Sequence, residues 1–340
     1  DPPRPRPDVL TPLRWFATAV SFLATFGVSA YVIASNWPAE GAPLGLPWWG
    51  HLLCLAAWGL DILFRVVKIR FSAQAIGVPV TFGAILRTTL GGDFAAAITP
   101  SRSGAEPARF LIMSESGVPL GGTVLVLFLE IFLETLSLFA VTAVLGLVLH
   151  DSSGLVRGLL GTVTLYSAGV VAAGVIAFTL SKRNGRGPRP RWVRWIGVNA
   201  LIWRRVQRGL RQLRGSVESL RGANKSTMLL ALLFSILHVS ARLLTLPLIV
   251  WSYGADVEAG PLLLWPLILL YGAAVAPAPG GGGMVEVAFK VALGGTLPAR
   301  LLGASLIWWR FYTFYLYTVA GAFAAGRTVM RALRRAKRHH

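Results

Sequence analysis

Long apolar runs recur along this chain, and each is long enough to cross a bilayer as a helix, which takes about 20 predominantly apolar residues. In the run at 119–149 only Glu130 and Glu134 are acidic or basic. Further runs lie at 15–33, 47–64, 155–180, 227–252 and 299–325. The first has no small-residue cleavage site and is predicted to be a signal-anchor helix. We therefore expect an all-α integral membrane protein, a polytopic bundle of about six spans.

The charged residues are few and are concentrated in short segments. Hydrophobic residues make up 54% of the chain and charged residues 14%, a balance that excludes an ordinary water-soluble globule. The formal net charge is nevertheless +19, with 13 basic residues at 182–225 and six at 327–338. Basic clusters beside apolar spans are typical of cytoplasmic loops near anionic lipid. We expect a multi-pass protein with both termini cytoplasmic and no nucleic-acid partner.

The remaining charges predict how the spans alternate. Arg65, Lys68 and Arg70 follow the second apolar run and are expected in a cytoplasmic connection. The opposite connections are predicted to hold Glu40, Asp151, Asp256 and Glu258, with Arg157 as the basic exception. For the connections to alternate between the two sides of the membrane, the segments 71–118 and 257–298 must each return to the side from which they entered.

These two segments differ from the spans because Gly, Pro and ionisable residues interrupt them. The first contains Thr99-Pro100-Ser101-Arg102-Ser103-Gly104-Ala105-Glu106-Pro107, and the second contains Pro277-Ala278-Pro279 followed by four glycines. Non-helical backbone at membrane depth is tolerated only where protein or a cavity surrounds it. Both segments are therefore predicted to be re-entrant broken-helix hairpins.

An internal repeat relates the two hairpins. Glu106 and Glu286 are 180 residues apart, as are Glu130 and Arg310, so that 47–140 and 227–320 read as two copies of one unit. Because the charge count gives the copies opposite directions, they are expected to be inverted-topology repeats, an arrangement found in transporters. The predicted organisation is a tail and first span, repeat 1, a linking span with a basic loop, repeat 2 and a basic tail, with bounds 1–46, 47–149, 150–226, 227–325 and 326–340.

Candidate substrate-binding residues lie at the two breaks. Glu106-Pro107 is typical of a helix start, and the glycines before Glu286 can present backbone donors; they are Gly280, Gly281, Gly282 and Gly283. A half-helix N-terminus of this kind attracts a phosphate. Arg102 and Arg109 are expected to reinforce a phosphate site in the first hairpin, and Lys290 in the second. The alternative is that these residues only permit tight packing and cap their own helices.

A second group of candidates lies within the predicted spans. Glu130 and Glu134 are one helical turn apart. Arg310 is a candidate to approach Glu130 near the pseudo-two-fold axis that would relate the two repeats. His238 and Arg242 share one face of the run at 227–252. Charged side chains inside a membrane are costly and mark transport pathways, although a structural ion-pair network explains them equally well.

The basic loop is a candidate lipid-binding segment. Within 194–220, arginines alternate with apolar residues and tryptophans in the pattern of an amphipathic helix, which is expected to lie on the inner leaflet and bind anionic lipids. The alternative is a solvated linker helix.

Catalytic and metal-binding signatures are not found. The sequence contains no HExxH, GxSxG or Walker A pattern, and its one cysteine, Cys54, cannot build a thiolate cluster. We expect a transporter or translocase rather than an enzyme, with no cofactor, metal or catalytic residue.

Several of these motifs resemble the transmembrane, flippase-like family named after lysylphosphatidylglycerol synthase, which also forms the membrane portion of the multiple peptide resistance factor. The similar residues lie between about 13 and 325 and include Thr99-Pro100, Gly104-Ala105-Glu106-Pro107-Ala108-Arg109, Gly117-Val118-Pro119, Pro277-Ala278-Pro279-Gly280-Gly281, Gly283, Glu286 and Arg310. Ala278 stands where Thr is common. The resemblance implies a bacterial or archaeal protein, here expected in the bacterial inner membrane, that moves an anionic, aminoacylated or polyprenyl-phosphate-linked lipid between leaflets.

Two other functions fit the same pattern. One is a secondary transporter of a small polar solute or ion, and the other is a non-transporting partner of a glycosyltransferase or lipid-modifying enzyme. Candidate partners are therefore lipids with phosphate head groups, a lipid-modifying enzyme or a second copy of the chain. Lipid aminoacylation is not expected of residues 1–340, which contain no soluble aminoacyl-transferase domain.

Overall fold

A computed structural model describes residues 45–148, 224–272 and 278–325, together with individual positions between 27 and 35 and between 157 and 179. The predicted spans at 15–33 and 155–180 lie largely outside the described residues. The amphipathic segment at 194–220 and most of the basic tail lie outside them as well, so the expectations for these segments stay predictions.

The three described ranges are all-α, as the sequence predicts. In chain order the helices are α1 (Trp48–Ala75), α2 (Phe82–Ile98), α3 (Ala105–Glu115), α4 (Leu120–Val148), α5 (Lys225–Leu243), α6 (Thr245–Ser252), α7 (Ala259–Gly272), α8 (Met284–Leu293) and α9 (Ala299–Arg310). A π-helical turn, Phe311–Tyr315, follows α9, and residues 316–325 continue as α-helix.

Within the described ranges, two helical stretches are long and apolar enough to cross a membrane by length and composition: Leu120–Val148 and Lys225–Ser252. The second comprises α5 and α6, and the Asn224 side chain caps its start by accepting from the Ser226 and Thr227 amides. Helix α1 is equally long, at 28 residues, but carries ionisable residues in its second half. The total of about six spans stays a prediction.

Each broken segment forms a pair of helices joined by a turn. Helices α2 and α3 are joined through Ser101 and Arg102, which both have positive φ angles of 50° and 54°. Helices α7 and α8 are joined through Gly280 and Gly281, with φ angles of 60° and 68°. The chain therefore reverses at each break, as the Gly, Pro and polar residues there predict.

The helices pack so that the two turns meet. Helix α1 packs along α5, α2 packs on α3, and α4 packs on α5. In an isolated antiparallel pairing, Pro100 at the first turn lies opposite Pro279 at the second. We call the turns at 99–104 and 278–283 the hairpin tips.

The expected end of the first described span is wrong. Helix α1 continues beyond 64 to Ala75, and Arg65 and Lys68 are 2% and 0% exposed instead of lying in a cytoplasmic connection. Arg70 is exposed. The apolar run ends at Arg65, but the helix continues because buried carboxylates neutralise the two cations that follow. Asp93 lies inside α2, where it pairs with Arg65.

Candidate functional site

The buried face of α1 carries three ionisable residues at helical spacing. Asp61, Arg65 and Lys68 lie on consecutive turns, and none is more than 2% exposed. Arg65 donates two hydrogen bonds to the Asp93 carboxylate, from Nη1 at 2.6 Å and from Nη2 at 3.0 Å. This bidentate pair joins α1 to α2 and satisfies both charges at the point where water is excluded.

A second ion pair joins α3 to α4. Arg109 Nη1 lies 3.2 Å from Glu130 Oε1 and donates to Glu106 Oε1 at 3.1 Å. Gly92 makes this arrangement possible, because a Cβ at that position would lie 2.4 Å from Arg109 Nε. Lys68 completes the link, with its Nζ 3.4 Å from Glu134 Oε2 and 4.0 Å from Glu130 Oε1.

Asp61 joins three helices in the same region. Its Oδ1 bonds His238 Nδ1 at 2.7 Å, and its Oδ2 accepts the Tyr317 hydroxyl at 2.5 Å. His238 Nε2 is 3.9 Å from Glu134 Oε1. The ionic network, as we call it, consists of Asp61, Arg65, Lys68, Asp93, Glu106, Arg109, Glu130, Glu134, His238 and Tyr317.

A separate ion pair holds the second hairpin. Arg310 Nε lies 2.9 Å from Glu286 Oε1, and Arg310 Nη2 donates to the Gly280 carbonyl at 3.3 Å. The Arg310 guanidinium also stacks over the Phe314 ring, 4.4 Å from its centroid. The π-helical turn that begins at Phe311 carries Phe314, and π-helical turns occur frequently at functional sites.

A small cavity of about 30 Å³ lies between the hairpin tips, α5 and α9. Its polar lining includes Asp93, Arg102, Arg242, Gly280, Arg310, Thr313, Tyr317 and Thr318. Asp93 is paired with Arg65 and Arg310 with Glu286, at 2.6 and 2.9 Å. By contrast, no carboxylate of the described residues lies within 4.0 Å of Arg102 or Arg242.

The environments of these two arginines differ. Arg242 is 9% exposed, and its guanidinium lies 5.3 Å from the centroid of the Tyr317 ring. Arg102 is partly exposed at the first hairpin tip. The cavity therefore has two cations without a described carboxylate within 4.0 Å, although Asp93 shares the cavity wall and Asp61 acts on Arg242 from farther away. Two arginines in one cavity attract an anion.

The predicted site residues divide into three groups. Those that line the cavity are Arg102, Arg242, Gly280 and Arg310. Those that form ion pairs or buried hydrogen bonds are Glu106, Arg109, Glu130, Glu134, His238 and Glu286. Gly281, Gly282, Gly283 and Lys290 do not line the cavity; the Gly281 and Gly282 amides donate within the turn, to the Ala278 and Pro279 carbonyls, the Gly283 carbonyl accepts from Val287, and Lys290 is exposed on α8.

One expected contact is wrong. Arg310 does not approach Glu130, because each has another partner: Arg310 pairs with Glu286 and Glu130 with Arg109. Helix α3 therefore supplies the cation to α4 in the first pair, whereas α8 supplies the acid to α9 in the second. In the first ion pair the arginine comes before the glutamate in the chain, and in the second the glutamate comes before the arginine.

Five residues of the ionic network are not among the predicted site residues: Asp61, Arg65, Lys68, Asp93 and Tyr317. A usable signal was present, since the spacing of the three charged residues in α1 is that of one helix face. To use this signal, one would have had to predict that α1 continues beyond the apolar run at 47–64.

Comparison with known proteins identifies the family. Residues 15–321 match the family model described as the lysylphosphatidylglycerol synthase transmembrane region. A UPF0104 membrane protein of Archaeoglobus fulgidus is 21% identical over 297 residues, which are 83% of this chain and 88% of that protein. The match spans the ionic network, both hairpins and the cavity. The chain therefore belongs to the lysylphosphatidylglycerol synthase transmembrane-region family of membrane proteins.

Proposed function

We propose that this protein binds the phosphate of a lipid head group in the central cavity and moves that lipid between the membrane leaflets. The observation that carries the proposal is the pair of arginines, Arg102 and Arg242, which face one cavity and have no described carboxylate within 4.0 Å. The proposed activity makes and breaks no covalent bond, so the chain acts as a translocase rather than an enzyme.

Phosphate suits this cavity better than a neutral or cationic group. A guanidinium fork matches two phosphate oxygens, and charge-assisted hydrogen bonds strengthen where water is excluded. Val285, in the first turn of α8, also lines the cavity, as does Gly280 in the preceding turn, so the positive end of that ten-residue helix adds to the field. An anion would also offset the cost of holding Arg242 in a buried position.

A lipid substrate fits the surroundings of the cavity. Large apolar side chains are exposed along α1, α4 and α5, among them Leu52, Leu63, Leu136, Leu229 and Leu233. Such surfaces are stable against acyl chains. The family's description also names lysylphosphatidylglycerol, a lipid whose head group contains a phosphate.

Movement between leaflets would follow from two repeats that rock against each other. The lengths of the described helices support this division. Helices α1 to α4 have 28, 17, 11 and 29 residues. In the second half, Lys225–Ser252 has 28 residues, α7 and α8 have 14 and 10, and the helical residues 299–325 follow. The hairpin tips would then approach the cavity from opposite membrane faces as inverted re-entrant elements.

The test is lipid movement in vesicles that contain the purified protein. The substrate is fluorescently labelled phosphatidylglycerol, and the fraction that crosses is read from quenching by external dithionite. Arg102→Gln and Arg242→Gln should each slow the movement about tenfold or more, because a hydrogen bond to a charged group contributes about 1.5–3 kcal/mol.

Two controls give the test its specificity. Arg87→Gln removes an exposed arginine that bonds only a carbonyl of its own helix among its described contacts, and it should leave the rate unchanged. Labelled glucosylceramide, which has no phosphate, should not cross faster than in protein-free vesicles. Equal rates for Arg102→Gln, Arg242→Gln and the unmodified protein would refute the assignment of the site.

A further inference from the structure

A line of four polar side chains leads away from the cavity. Tyr317 lines the cavity and donates its hydroxyl to Asp61, which bonds His238. His238 Nε2 then faces Glu134 Oε1 at 3.9 Å. Asp61 and His238 are 0% exposed, whereas the Glu134 side chain is 24% exposed. The line therefore connects the buried cavity wall to a partly exposed carboxylate on α4.

Hydrogen bonding determines which nitrogen of His238 can take up a proton. The Asp61 carboxylate only accepts hydrogen bonds, so Nδ1 carries the hydrogen in their 2.7 Å contact. Neutral His238 then has its lone pair on Nε2. This buried nitrogen has no hydrogen-bond partner among the described residues. Histidine is also the side chain whose charge changes most readily near neutral pH, so Nε2 is poised to accept a proton.

The charges around His238 come from every helix that packs against it. They belong to Asp61, Arg65 and Lys68 on α1, Glu134 on α4, Arg242 on α5, Tyr271 on α7 and Tyr317 after the π-helical turn. Arg65 and Lys68 are compensated by Asp93 and Glu134, at 2.6 and 3.4 Å. Arg242 has no described carboxylate within 4.0 Å, although the more distant Asp61 acts on its charge. Because Arg242 lies one helical turn from His238 on α5, we expect its positive charge to oppose a second positive charge on that ring.

A phosphate at Arg242 would remove that opposition. Like charges in a low-dielectric interior disfavour each other strongly, and a bound anion cancels one of them. Proton uptake at His238 and anion binding at Arg242 would then favour each other. By linkage, the proton must raise the affinity for the anion by the same factor by which the anion raises the affinity for the proton.

We propose that His238 Nε2 binds one proton, delivered through Glu134, whenever a phosphate head group binds in the cavity. The proton passes from water to the Glu134 carboxylate and from there to Nε2, and it returns when the head group leaves; no other bond changes. This inference rests on the proposed function, because the head-group phosphate supplies the charge that offsets Arg242.

Binding measured against pH tests the proposal. The probe is fluorescently labelled phosphatidylglycerol, whose phosphodiester stays singly charged between pH 5.5 and 8, with the full chain in detergent. Affinity should rise up to about a hundredfold from pH 8 to pH 6, because uptake of one proton per lipid bound changes the affinity about tenfold per pH unit, which is within the usual range of coupling between sites. His238→Gln should remove this dependence.

His51→Gln is the matched control, because His51 Nδ1 bonds the Tyr312 hydroxyl at 2.6 Å, outside the ionic network. It should retain the pH dependence of the unmodified protein. A second measurement needs no variant: in weakly buffered solution with a pH-sensitive dye, the unmodified protein should take up about one proton per lipid bound.

The outcomes separate the two proposals. If the unmodified protein binds the probe with the same affinity at every pH and takes up no proton, the coupling is refuted while the proposed function stands. If the pH dependence persists in His238→Gln, another group binds the proton and His238 does not. If the probe does not bind at any pH, both proposals fail.

Discussion

Pro100 lies opposite Pro279 in an antiparallel pairing that joins the two hairpin tips, although the residues belong to different halves of the chain. Proline has no N–H, so the hydrogen bonds of this pairing come from neighbouring backbone groups and not from these two residues. The tips are therefore held in contact by backbone pairing, and a rocking motion that separated them would have to break it.

Cysteines at these two positions should form a disulfide. Directly opposite residues in an antiparallel pairing have Cα atoms about 4.5–5.5 Å apart, within the disulfide range of about 4.4–6.8 Å. In a Cys54→Ala background, Pro100→Cys with Pro279→Cys should cross-link on oxidation, visible as a gel shift that reductant reverses. If translocation requires the tips to separate, the oxidised protein should lose lipid movement and regain it on reduction.

Single-cysteine variants in the same background provide the control, since neither can cross-link within one chain. A cross-linked protein that moves lipid at the unmodified rate would contradict the rocking mechanism while leaving the contact between the tips intact. A pair that stays reduced under oxidising conditions would contradict the contact itself.

Breaking the ion pair between Glu286 and Arg310 should destabilise the second hairpin. Removing one partner leaves an uncompensated charge in a buried site, at a cost of about 3–5 kcal/mol, and both side chains are at most 6% exposed. Glu286→Gln and Arg310→Gln should each lower the apparent melting temperature in detergent. The double variant should lose clearly less than the sum of the two, because the neutral side chains can still hydrogen-bond; additive losses would show that the pair is not coupled.

The two helix breaks could be predicted from sequence because turn chemistry is local. Gly, Pro and small polar residues at 99–104 and 277–283 interrupt helices whatever surrounds them. The partner of Arg310 could not be predicted in the same way. Helical spacing identifies the face on which a charge lies, but Glu130 and Glu286 were equally available in sequence, and only packing placed Glu286 at 2.9 Å.

The charged half of α1 was mispredicted for a related reason. Hydropathy treats Arg65 and Lys68 as the end of a span, since an isolated cation in a membrane is costly. Asp93 and Glu134 supply the compensating charges from other helices. These carboxylates are remote in sequence, so their effect on α1 appears only once the helices are packed.

Lys68→Met should therefore lower stability although it makes α1 more apolar. Lys68 is 0% exposed and lies between two carboxylates, Glu130 and Glu134. Its loss removes the cation of Glu134 and leaves Glu130 with Arg109 alone, at a cost of about 3 kcal/mol. Arg70→Gln, an exposed position on the same helix, should change stability by no more than about 0.5 kcal/mol. Equal melting temperatures for the two variants would refute the role of Lys68.

Gly280→Ala should disturb the wall of the cavity through Phe314. A Cβ on Gly280 would lie 2.2 Å from the Phe314 ring, and the φ of +60° adds strain of about 1–2 kcal/mol for any other residue. Melting temperature and lipid movement should both fall. Adding Phe314→Leu to Gly280→Ala should restore the part of the melting temperature and of the lipid movement that is lost through the clash, but not the part lost through backbone strain. Phe314→Leu alone is the reference. Gly59→Ala, where a Cβ meets nothing within 4 Å, should keep both at or above the unmodified level, since alanine favours helix. If Gly280→Ala behaves like Gly59→Ala, Phe314 does not hold the second hairpin tip in place.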